Sequence, residues 1–303
     1  MVDILLGSYN GEKYIAEQIE SIINQEYKEW NLFIRDDGSS DRTIEIIESY
    51  IVKFPEKIYL IKDNKNNLGT KLNFNELIKY SKNKYCMFCD QDDVWLPKKI
   101  KITLQKMLET ENKSNKDIPI LIHTDLKVVD EKLNIVNSSI WNYMKLDPRR
   151  NSLNKILVKT TVTGCTVMIN SKLRDLIGEI PKDCVMHDYW ITLIAASCGK
   201  IDFLNESTIL YRQHGNNQVG SGKSSMFKRL TKDLLNMRYM FNILDAKILY
   251  TNYSIYMNNS NRQILSEFIN IEKSTFLKKR YILIKNKYLT NSIFRNIKIL
   301  LAC

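Results

Sequence analysis

Three carboxylates lie within four positions in the stretch DQDD at 90–93, directly after the apolar run YCMF at 85–88. Like charges this close repel each other, so a cation or hydrogen-bond donors must offset them. Short carboxylates provide the oxygen ligands that Mg²⁺ and Mn²⁺ prefer, and substrate phosphates often complete the coordination of such an ion. The alternative is that this stretch is a solvated turn and that Asp93 lies at the start of the next helix, where an acidic side chain is stabilising. The cluster as a whole predicts a metal–diphosphate site.

Strand and helix patterns alternate along the first half of the chain, and they position this cluster. The runs 2–6, 30–35, 58–61 and 85–89 are apolar enough for buried strands. Isoleucines recur at helical spacing between the first and second runs and between the second and third. Strands separated by single helices predict a parallel, doubly wound sheet with right-handed crossovers. Ligands of such sheets bind beyond the carboxyl ends of the strands. Three of these strands end in GSYNG, RDDGSSD and CDQDD, so we expect the carboxylates at the mouth of a site.

The second half of the chain is less regular. Its predicted strands are 120–123, 126–129, 166–169 and 209–212. A helix is predicted to start near His187 and to end at Gly199, which would be its left-handed C′ glycine. From about residue 225 the pattern is helical and rich in Lys, Asn and Tyr.

The composition is that of a soluble globular protein, with 44% hydrophobic and 26% charged residues among 303. The first residues lack the basic and apolar regions of a signal peptide, and the longest nearly apolar run is about half a spanning helix. We therefore expect a cytoplasmic protein whose cysteines are reduced. The net charge of +11 lies in the tail, because residues 223–303 hold 15 Lys and Arg against 4 Asp and Glu.

Four motifs occur in the order S-Y-N-G, D-D-G-S-x-D, N-L-G-x-x-x-N and D-Q-D-D. Their order resembles the family 2 glycosyltransferases over about residues 1–220. The resemblance implies an α/β, GT-A nucleotide-diphospho-sugar transferase fold with a Rossmann-like, mostly parallel sheet in residues 1–222. A basic helical C-terminal extension is expected over 223–303. The family inverts the configuration of the transferred sugar.

The resemblance also implies roles for single residues. The nucleotide-sugar contacts would come from Ser8, Tyr9, Asn10, Asp37, Asn67, Lys71, Asn73 and Asp90. Tyr9 would stack on a pyrimidine base, and Asp37 would accept a hydrogen bond from the base imide N–H. Asn67, Lys71 and Asn73 would lie in the loop that approaches the nucleotide sugar. The Mn²⁺ or Mg²⁺ ligands would be Asp90, Asp92 and His214, with Asp92 the best of them. The alternatives for His214 are a contact to the diphosphate and an ordinary histidine of a surface loop.

An inverting transfer needs a group that takes the proton of the acceptor hydroxyl. In the family an acidic residue at a helix start does this, and Asp188 of HDYW matches its position. The alternative is that Asp188 caps the helix, although one residue can do both. The family usually has an acidic residue before this Asp, whereas this chain has His187, a form that resembles rhamnosyltransferase-like members.

The tail is basic, with interleaved aromatic residues. One predicted helical face carries Leu277, Tyr281, Ile284, Tyr288 and Leu289, and the cations near it are Lys278, Lys279, Arg280, Lys285 and Lys287. Basic amphipathic helices lie in membrane interfaces, so the predicted partner of the tail is an anionic membrane surface on the inner face of the cell membrane. Nucleic acid is not expected, since no recognition motif accompanies the charge. An ordinary solvated helix pair is the alternative.

The predicted function is the inverting, metal-dependent transfer of a sugar onto a hydroxyl of a glycan or lipid-linked glycan in bacterial surface polysaccharide assembly. The donor predicted from the resemblance is dTDP-β-L-rhamnose, with UDP-hexoses as the alternative within the same fold. Two other classes use the same acidic cluster: a non-catalytic nucleotide-sugar-binding protein, and a metal-dependent phosphoryl or nucleotidyl transferase.

Overall fold

In a computed structural model of the chain, the described residues are 1–114, 117–214 and 242–302. Within them nine strands form one sheet. The strands are β1 (Val2–Ser8), β2 (Trp30–Asp36), β3 (Ile58–Leu60), β4 (Tyr85–Asp90), β5 (Val94–Trp95), β6 (Ile120–Val129), β7 (Ile135–Asn137), β8 (Met168–Asn170) and β9 (Lys200–Arg212). The boundary predicted between residues 222 and 223 lies outside the described residues.

The sheet has the order β3-β2-β1-β4-β8-β6-β9-β5, and β7 pairs with β6. Strands β3, β2, β1 and β4 are parallel to one another, and β6 is parallel to β9. Strand β8 is antiparallel to both of its neighbours, and β5 is antiparallel to β9. The predicted α/β fold with a mostly parallel sheet is thereby confirmed.

Helices cover both faces of the sheet. Those of the sheet region are α1 (Ile15–Ile23), α2 (Thr43–Lys53), α3 (Gly69–Ile78), α4 (Lys99–Ser114), α5 (Ile140–Met144), α6 (Leu153–Ile156), α7 (Ser171–Ile177) and α8 (His187–Cys198). Those of the C-terminal part are α9 (Ile243–Tyr253), α10 (Asn259–Ile269), α11 (Phe276–Lys285) and α12 (Ile293–Ala302). No helix in the described ranges is long and apolar enough to cross a bilayer.

Alternate residues of β1 belong to two hydrophobic cores, because successive side chains of a strand point to opposite faces. Ile4 and Leu6 pack in one core with residues of α1, α2 and α4. Leu5 packs in the other with residues of α3, α8 and the C-terminal helices, among them Trp190 and Phe268. A strand buried on both faces has a continuous apolar run, which is why the sequence revealed it.

Two predicted strands, 120–123 and 126–129, form the single strand β6. The polar residues between them suggested a break, but Asp125 is buried within the strand, where its carboxylate accepts hydrogen bonds from Ser139 Oγ and the main-chain N of Leu126 at 2.8 Å. The predicted strand 209–212 is likewise the end of the longer β9, whose first half is rich in polar residues.

Helix α8 begins at His187, as predicted, but Gly199 is not a left-handed cap, because its φ is −146°. The glycine is needed for another reason: a Cβ there would lie 2.1 Å from the carbonyl oxygen of Pro119. In the tail, Tyr288 is not on an exposed face. Helix α11 ends at Lys285, Lys287 has a φ of 55°, and this turn directs Tyr288 into the core, where it is fully buried.

Candidate active site

The ends of β1, β2 and β4 meet at one edge of the sheet, with Ser8 opposite Asp36 and Gly7 opposite Asp90. Gln91 joins two of the loops, because its Oε1 accepts from Tyr9 N at 2.8 Å and its Nε2 donates to Tyr9 O at 2.9 Å. A Cβ at position 11 would lie 2.2 Å from Gln91 Oε1, so a larger residue there would displace the Gln91 amide from its bonds to Tyr9.

The loop after β1 leaves one aromatic ring free for a ligand. Tyr9 is 50% exposed, as its predicted stacking on a base requires. The two residues beside it hold the loop: Ser8 Oγ donates to Asp36 Oδ1 at 2.8 Å, and Asn10 Oδ1 accepts from Ser40 N at 2.9 Å.

Asp37 lies at the end of β2 and is buried, with hydrogen bonds from Leu68 N at 2.9 Å, Gly69 N at 2.7 Å and Arg35 Nη1 at 3.2 Å. A carboxylate has about four acceptor positions, so one is left for a ligand donor such as a base N–H. Arg35 also donates to Asn73 Oδ1 at 3.0 Å. Asp37 and Asn73 therefore connect β2 to α3 through a buried guanidinium.

The other two residues of the predicted nucleotide-sugar loop point in different directions. Asn67 is exposed in a left-handed conformation, with a φ of 56°, and its main-chain N donates to Asp37 O at 2.8 Å. Lys71 Nζ donates to Cys184 O at 2.6 Å and to Lys182 O. Its ammonium group is thus bound to the segment that leads into α8.

The carboxylates of the D-Q-D-D stretch differ in environment. Burial, followed by the charges of Asp92 and Asp188, raises the pKa of Asp90 to about 7. Burial raises the pKa of Asp93 well above its usual value, with smaller contributions from Asp92 and Asp90. The interpretation of Asp93 as a helix start is wrong, because β5 follows it and α4 begins only at Lys99.

Asp93 lies beneath the site, fully buried. Its Oδ1 accepts from Arg212 N at 3.3 Å, and its Oδ2 has no partner among the described residues. Ligand atoms of Asp90, Asp93 and Cys165 lie within 4.8 Å of one another. Burial raises the pKa of the Cys165 thiol, however, and a protonated thiol is a poor ligand for a hard cation.

The better ligand pair is Asp92 with His214, whose Oδ2 and Nε2 atoms are 2.8 Å apart. Two neighbouring ligands of an octahedral ion, each about 2.1 Å from it, are about 3 Å apart, so the pair fits a divalent cation. The charge of Asp92 also acts on Asp90, two residues before it. Among the described residues, however, the ligand atoms of Asp90 group with those of Asp93 and Cys165 and not with the Asp92–His214 pair. The donor set Asp90, Asp92 and His214 therefore stays a prediction, of which the Asp92–His214 pair lies in ligand range.

A buried arginine holds this pair in place. Arg212 Nε donates to Asp92 O at 2.9 Å, Nη1 donates to Glu131 O at 2.6 Å, and Nη2 donates to Glu17. The guanidinium lies 4.6 Å from the ring centre of Tyr14, which also stacks on the imidazole of His214 at 4.8 Å.

Asp188 is the second residue of α8 and is partly exposed. Its Oδ2 accepts from Gly164 N at 3.1 Å, and its Oδ1 accepts from Tyr189 N at 2.7 Å. Its charge contributes to the raised pKa of Asp90, so the two carboxyl groups are near enough to interact. A carboxylate fixed in this way, beside a candidate metal site, has the position of a general base.

His187 lies behind Asp188 and away from the solvent. Its ring stacks on Phe74 with centroids 4.2 Å apart, and burial lowers its pKa, so the imidazole is neutral. With Phe88, Val167 and Asp188 it lines a narrow recess between β4 and α8.

Sequence reasoning missed three supports of the site: Tyr14, Arg35 and Arg212. A signal was present for the two arginines, because each lies at the end of an apolar strand and directly beside a candidate motif, RDDG or YRQH. Tyr14 had no comparable signal, since its role depends on contacts with residues far along the chain.

Residues 3–177 match the sequence model of the family described as Glycosyl transferase family 2. The dTDP-rhamnosyl transferase RfbG of Shigella flexneri is 28% identical over 249 residues, covering 74% of this chain and 78% of its own length. The UDP-Glc:alpha-D-GlcNAc-diphosphoundecaprenol beta-1,3-glucosyltransferase WfgD of Escherichia coli is 24% identical, covering 76% and 83%.

Two solved structures share the fold over 99% of this chain. TarS 1–349 of S. aureus in complex with UDP-GlcNAc has a TM-score of 0.56 at 17% identity and is covered over 89% of its chain. The mannosyltransferase PcManGT of Pyrobaculum calidifontis in complex with GDP-Man and Mn²⁺ has a TM-score of 0.59 at 11% identity and is covered over 78%.

Proposed function

The chain belongs to glycosyl transferase family 2, and from that premise we propose that it moves a sugar from a nucleoside diphosphate donor to a hydroxyl of a glycan or lipid-linked glycan, with inversion. The observation that supports the proposal is the 2.8 Å contact of Asp92 with His214, beside a carboxyl group, Asp90, on which the charges of Asp92 and Asp188 act. This arrangement combines a candidate metal site with a candidate base.

In the proposed mechanism, Asp90, Asp92 and His214 would hold a divalent ion. When bound, that ion would neutralise the charge that develops on the departing diphosphate. Asp188 accepts the proton of the acceptor hydroxyl while the oxygen attacks the anomeric carbon from the side opposite the leaving group. The bond to Gly164 N keeps the Asp188 carboxylate oriented for this transfer.

We propose L-rhamnose, supplied as dTDP-β-L-rhamnose, as the transferred sugar. Its support is the 28% identical relative named a dTDP-rhamnosyl transferase, together with the sequence HDYW at 187–190. A UDP-hexose is the second candidate, since another relative is named a UDP-Glc glucosyltransferase. Bacterial surface polysaccharide assembly is the process that these names suggest for the product.

The test is donor turnover with dTDP-β-L-rhamnose, UDP-glucose and ATP, with and without Mn²⁺, followed by product analysis. We expect free dTDP and an inverted glycoside, both lost in Asp92→Ala. Turnover of UDP-glucose alone would change the proposed donor and leave the proposed reaction in place. Cleavage of a phosphoanhydride without glycoside formation would support the phosphoryl transferase alternative. Metal-dependent binding of dTDP without turnover would support the non-catalytic one.

We also propose that the C-terminal helices bring the protein to an anionic membrane surface, as a peripheral protein on the cytoplasmic face. Leu277, Tyr281 and Ile284 lie one turn apart on α11, and each is more than half exposed. On α12 the large exposed side chains are Ile293, Phe294, Ile297 and Leu301. Apolar side chains beside cations suit a bilayer interface. Cosedimentation with phosphatidylglycerol vesicles tests this, and equal recovery with phosphatidylcholine alone would contradict it.

A further inference from the structure

Positive side chains gather where the sheet region meets the turn between α11 and α12. We call this group the cationic seam, and its members are Arg150, Lys155, Lys159, Lys287 and Arg295. Arg150 and Lys155 contact the turn that contains Lys287, and Arg150 and Arg295 are near enough to Lys159 for their charges to act on it. Hydrogen bonds join the two sides of the seam. Lys155 Nζ donates to Lys287 O at 2.7 Å, and Arg150 Nη2 donates to Leu289 O. Asn154 Nδ2 adds a third bond, to Asn286 O at 2.8 Å.

The charge of the seam is not neutralised by these bonds. Arg150 and Lys155 donate to carbonyl oxygens, which carry no formal charge. The acidic neighbour of Arg150 is Asp147, and both oxygens of that carboxylate already accept from Arg149, at 2.8 and 3.0 Å. In the described ranges, Lys159 and Arg295 have no side-chain hydrogen bond or ion pair to an acidic residue.

Partial burial makes this surplus of charge costly. Burial, followed by the charges of Arg295 and Arg150, lowers the pKa of Lys159 to about 8. Burial, followed by Arg150 and Lys287, also lowers the pKa of Lys155. Removing cations from water and placing them side by side is unfavourable unless an anion joins them. The seam therefore has the electrostatics of an anion site, in contrast to a row of solvated lysines.

We propose that the cationic seam binds a phosphoryl group, and that its source is the headgroup of an anionic lipid. Guanidinium groups bind phosphate oxygens in a bidentate geometry, and an ammonium group adds a compact charge. Arg295 lies on α12 between the exposed Phe294 and Ile297, so a headgroup in the seam would sit beside side chains suited to the bilayer. The phosphoryl site stands on its own, whereas the lipid source rests on the membrane association proposed above.

The test compares the full-length wild type with the double variant Lys159→Gln/Arg295→Gln. The matched control is Lys98→Gln/Lys113→Gln, which removes two exposed cations at α4, a helix that packs in the other core. One arm measures thermal stabilisation by inorganic phosphate in EDTA, in an Asp92→Ala background, so that the proposed donor site does not contribute. The other arm measures binding to phosphatidylcholine vesicles with and without phosphatidylglycerol.

We expect phosphate to stabilise the wild-type seam and the control, but not the double variant. Binding to phosphatidylglycerol vesicles should fall about 30-fold in the double variant and remain unchanged in the control, since each of the two cations removed from the seam contributes about 1 kcal/mol near such a surface. Phosphate stabilisation with unchanged vesicle binding would keep the site and exclude the lipid as its source. Equal behaviour of double variant and control in both arms would overturn the proposal.

Thermal stabilisation by dTDP with Mn²⁺ is also measured on the same seam variants with Asp92 intact. It shows that the variants are folded. Because this readout depends on the donor site alone, loss of the seam and loss of the proposed donor site are distinguishable.

Discussion

His214 Nε2 lies 2.8 Å from Asp92 Oδ2, although 122 positions separate the two residues in the chain. They meet because β9 runs antiparallel to β5, with Leu210 opposite Val94, and thus returns along the D-Q-D-D stretch. Arg212, two residues before His214, joins the end of β9 to the D-Q-D-D stretch by donating to Asp92 O at 2.9 Å. The pair can therefore form only when the last strand has joined the sheet.

Removing the imidazole should weaken metal binding. We expect His214→Ala to lower the Mn²⁺ affinity at least about tenfold in the presence of dTDP, because one of three protein ligands is lost. Electron paramagnetic resonance of free Mn²⁺ measures this without turnover. Asp92→Ala provides the lower limit of affinity, and wild-type Mn²⁺ binding by His214→Ala would exclude the imidazole as a ligand.

Arg212 should act on the metal through its neighbours. We expect Arg212→Lys to keep the charge but lose the forked hydrogen bonds to Asp92 O and Glu131 O, with a loss of Mn²⁺ affinity of about 10- to 100-fold, as for other supports of metal ligands. Arg212→Met should be less stable as well, because it leaves the partly buried carbonyl groups of Asp92 and Glu131 without their donor. If the Lys variant loses stability but binds Mn²⁺ as the wild type does, Arg212 has only a structural role.

The raised pKa of Asp90 predicts a pH dependence of stability. The folded protein holds the Asp90 proton up to about pH 7, whereas the unfolded chain releases it near 3.8. Its contribution is therefore complete below 3.8 and is lost as the pH rises through about 7. In EDTA, we expect Asp90→Asn to gain on the order of 1 kcal/mol over the wild type between pH 5 and pH 8, measured by urea unfolding. A difference independent of pH would contradict this.

The same proton should compete with the metal. Since a carboxylate must be ionised to bind a hard cation, Mn²⁺ affinity should fall as the pH drops below about 7. The Mn²⁺ titration at several pH values measures this. Asp90→Asn should show a weaker dependence over the same range, and an identical dependence would assign the titration to another group.

Asp188→Asn should separate binding from chemistry. Asparagine retains one oxygen that can accept from Gly164 N and loses only the bond from Tyr189 N, so the Mn²⁺–dTDP affinity should change little and stability only modestly. Without a base, kcat should fall about 10²- to 10⁴-fold. Steady-state kinetics and thermal unfolding together check this. An active variant would leave Asp188 as a helix-capping residue only.

Glu267 should tie the C-terminal helices together in a pH-dependent way. Its carboxylate accepts from Asn286 Nδ2 at 2.6 Å and from Lys285 Nζ and Gln263 Nε2 at 2.9 Å. These bonds, led by Asn286, lower its pKa to about 2. The stabilisation is present above 4.5 and is lost as the pH falls toward 2. We expect Glu267→Gln to lower Tm at pH 7 by a few degrees and to match the wild type near pH 2, as measured by calorimetry.

Much of the parallel half of the fold was predictable, because strands buried on both faces have continuous apolar runs. The first half of β9 was not predictable, because Lys200, Asp202 and Glu206 interrupt its apolar run, and this strand lies in the part of the sheet that mixes parallel and antiparallel pairs. Gly199 illustrates a different limit. Its presence suggested a left-handed cap, but its cause is the close approach of Pro119, which only the tertiary structure shows.

The candidate site was predicted in part for a similar reason. The carboxylates of the D-Q-D-D stretch carry a local signal, namely like charges after a buried strand. The orientation of Lys71 carries none, because its hydrogen-bond partners are carbonyl groups more than 100 positions away. Residue type and spacing thus predicted the acidic groups, whereas the side chains around them depend on the sheet topology.

Lys71 gives the two halves of the site a mechanical connection. Its ammonium group holds the main chain at Cys184, and Asp245 of α9 holds the next residue, accepting from Val185 N at 3.3 Å. Hydrogen bonds thus join α3 to the segment that leads into α8, three residues before that helix begins. If the donor contacts α3 and Asp188 is the base, as proposed, this connection predicts an ordered kinetic scheme with the nucleotide sugar binding first.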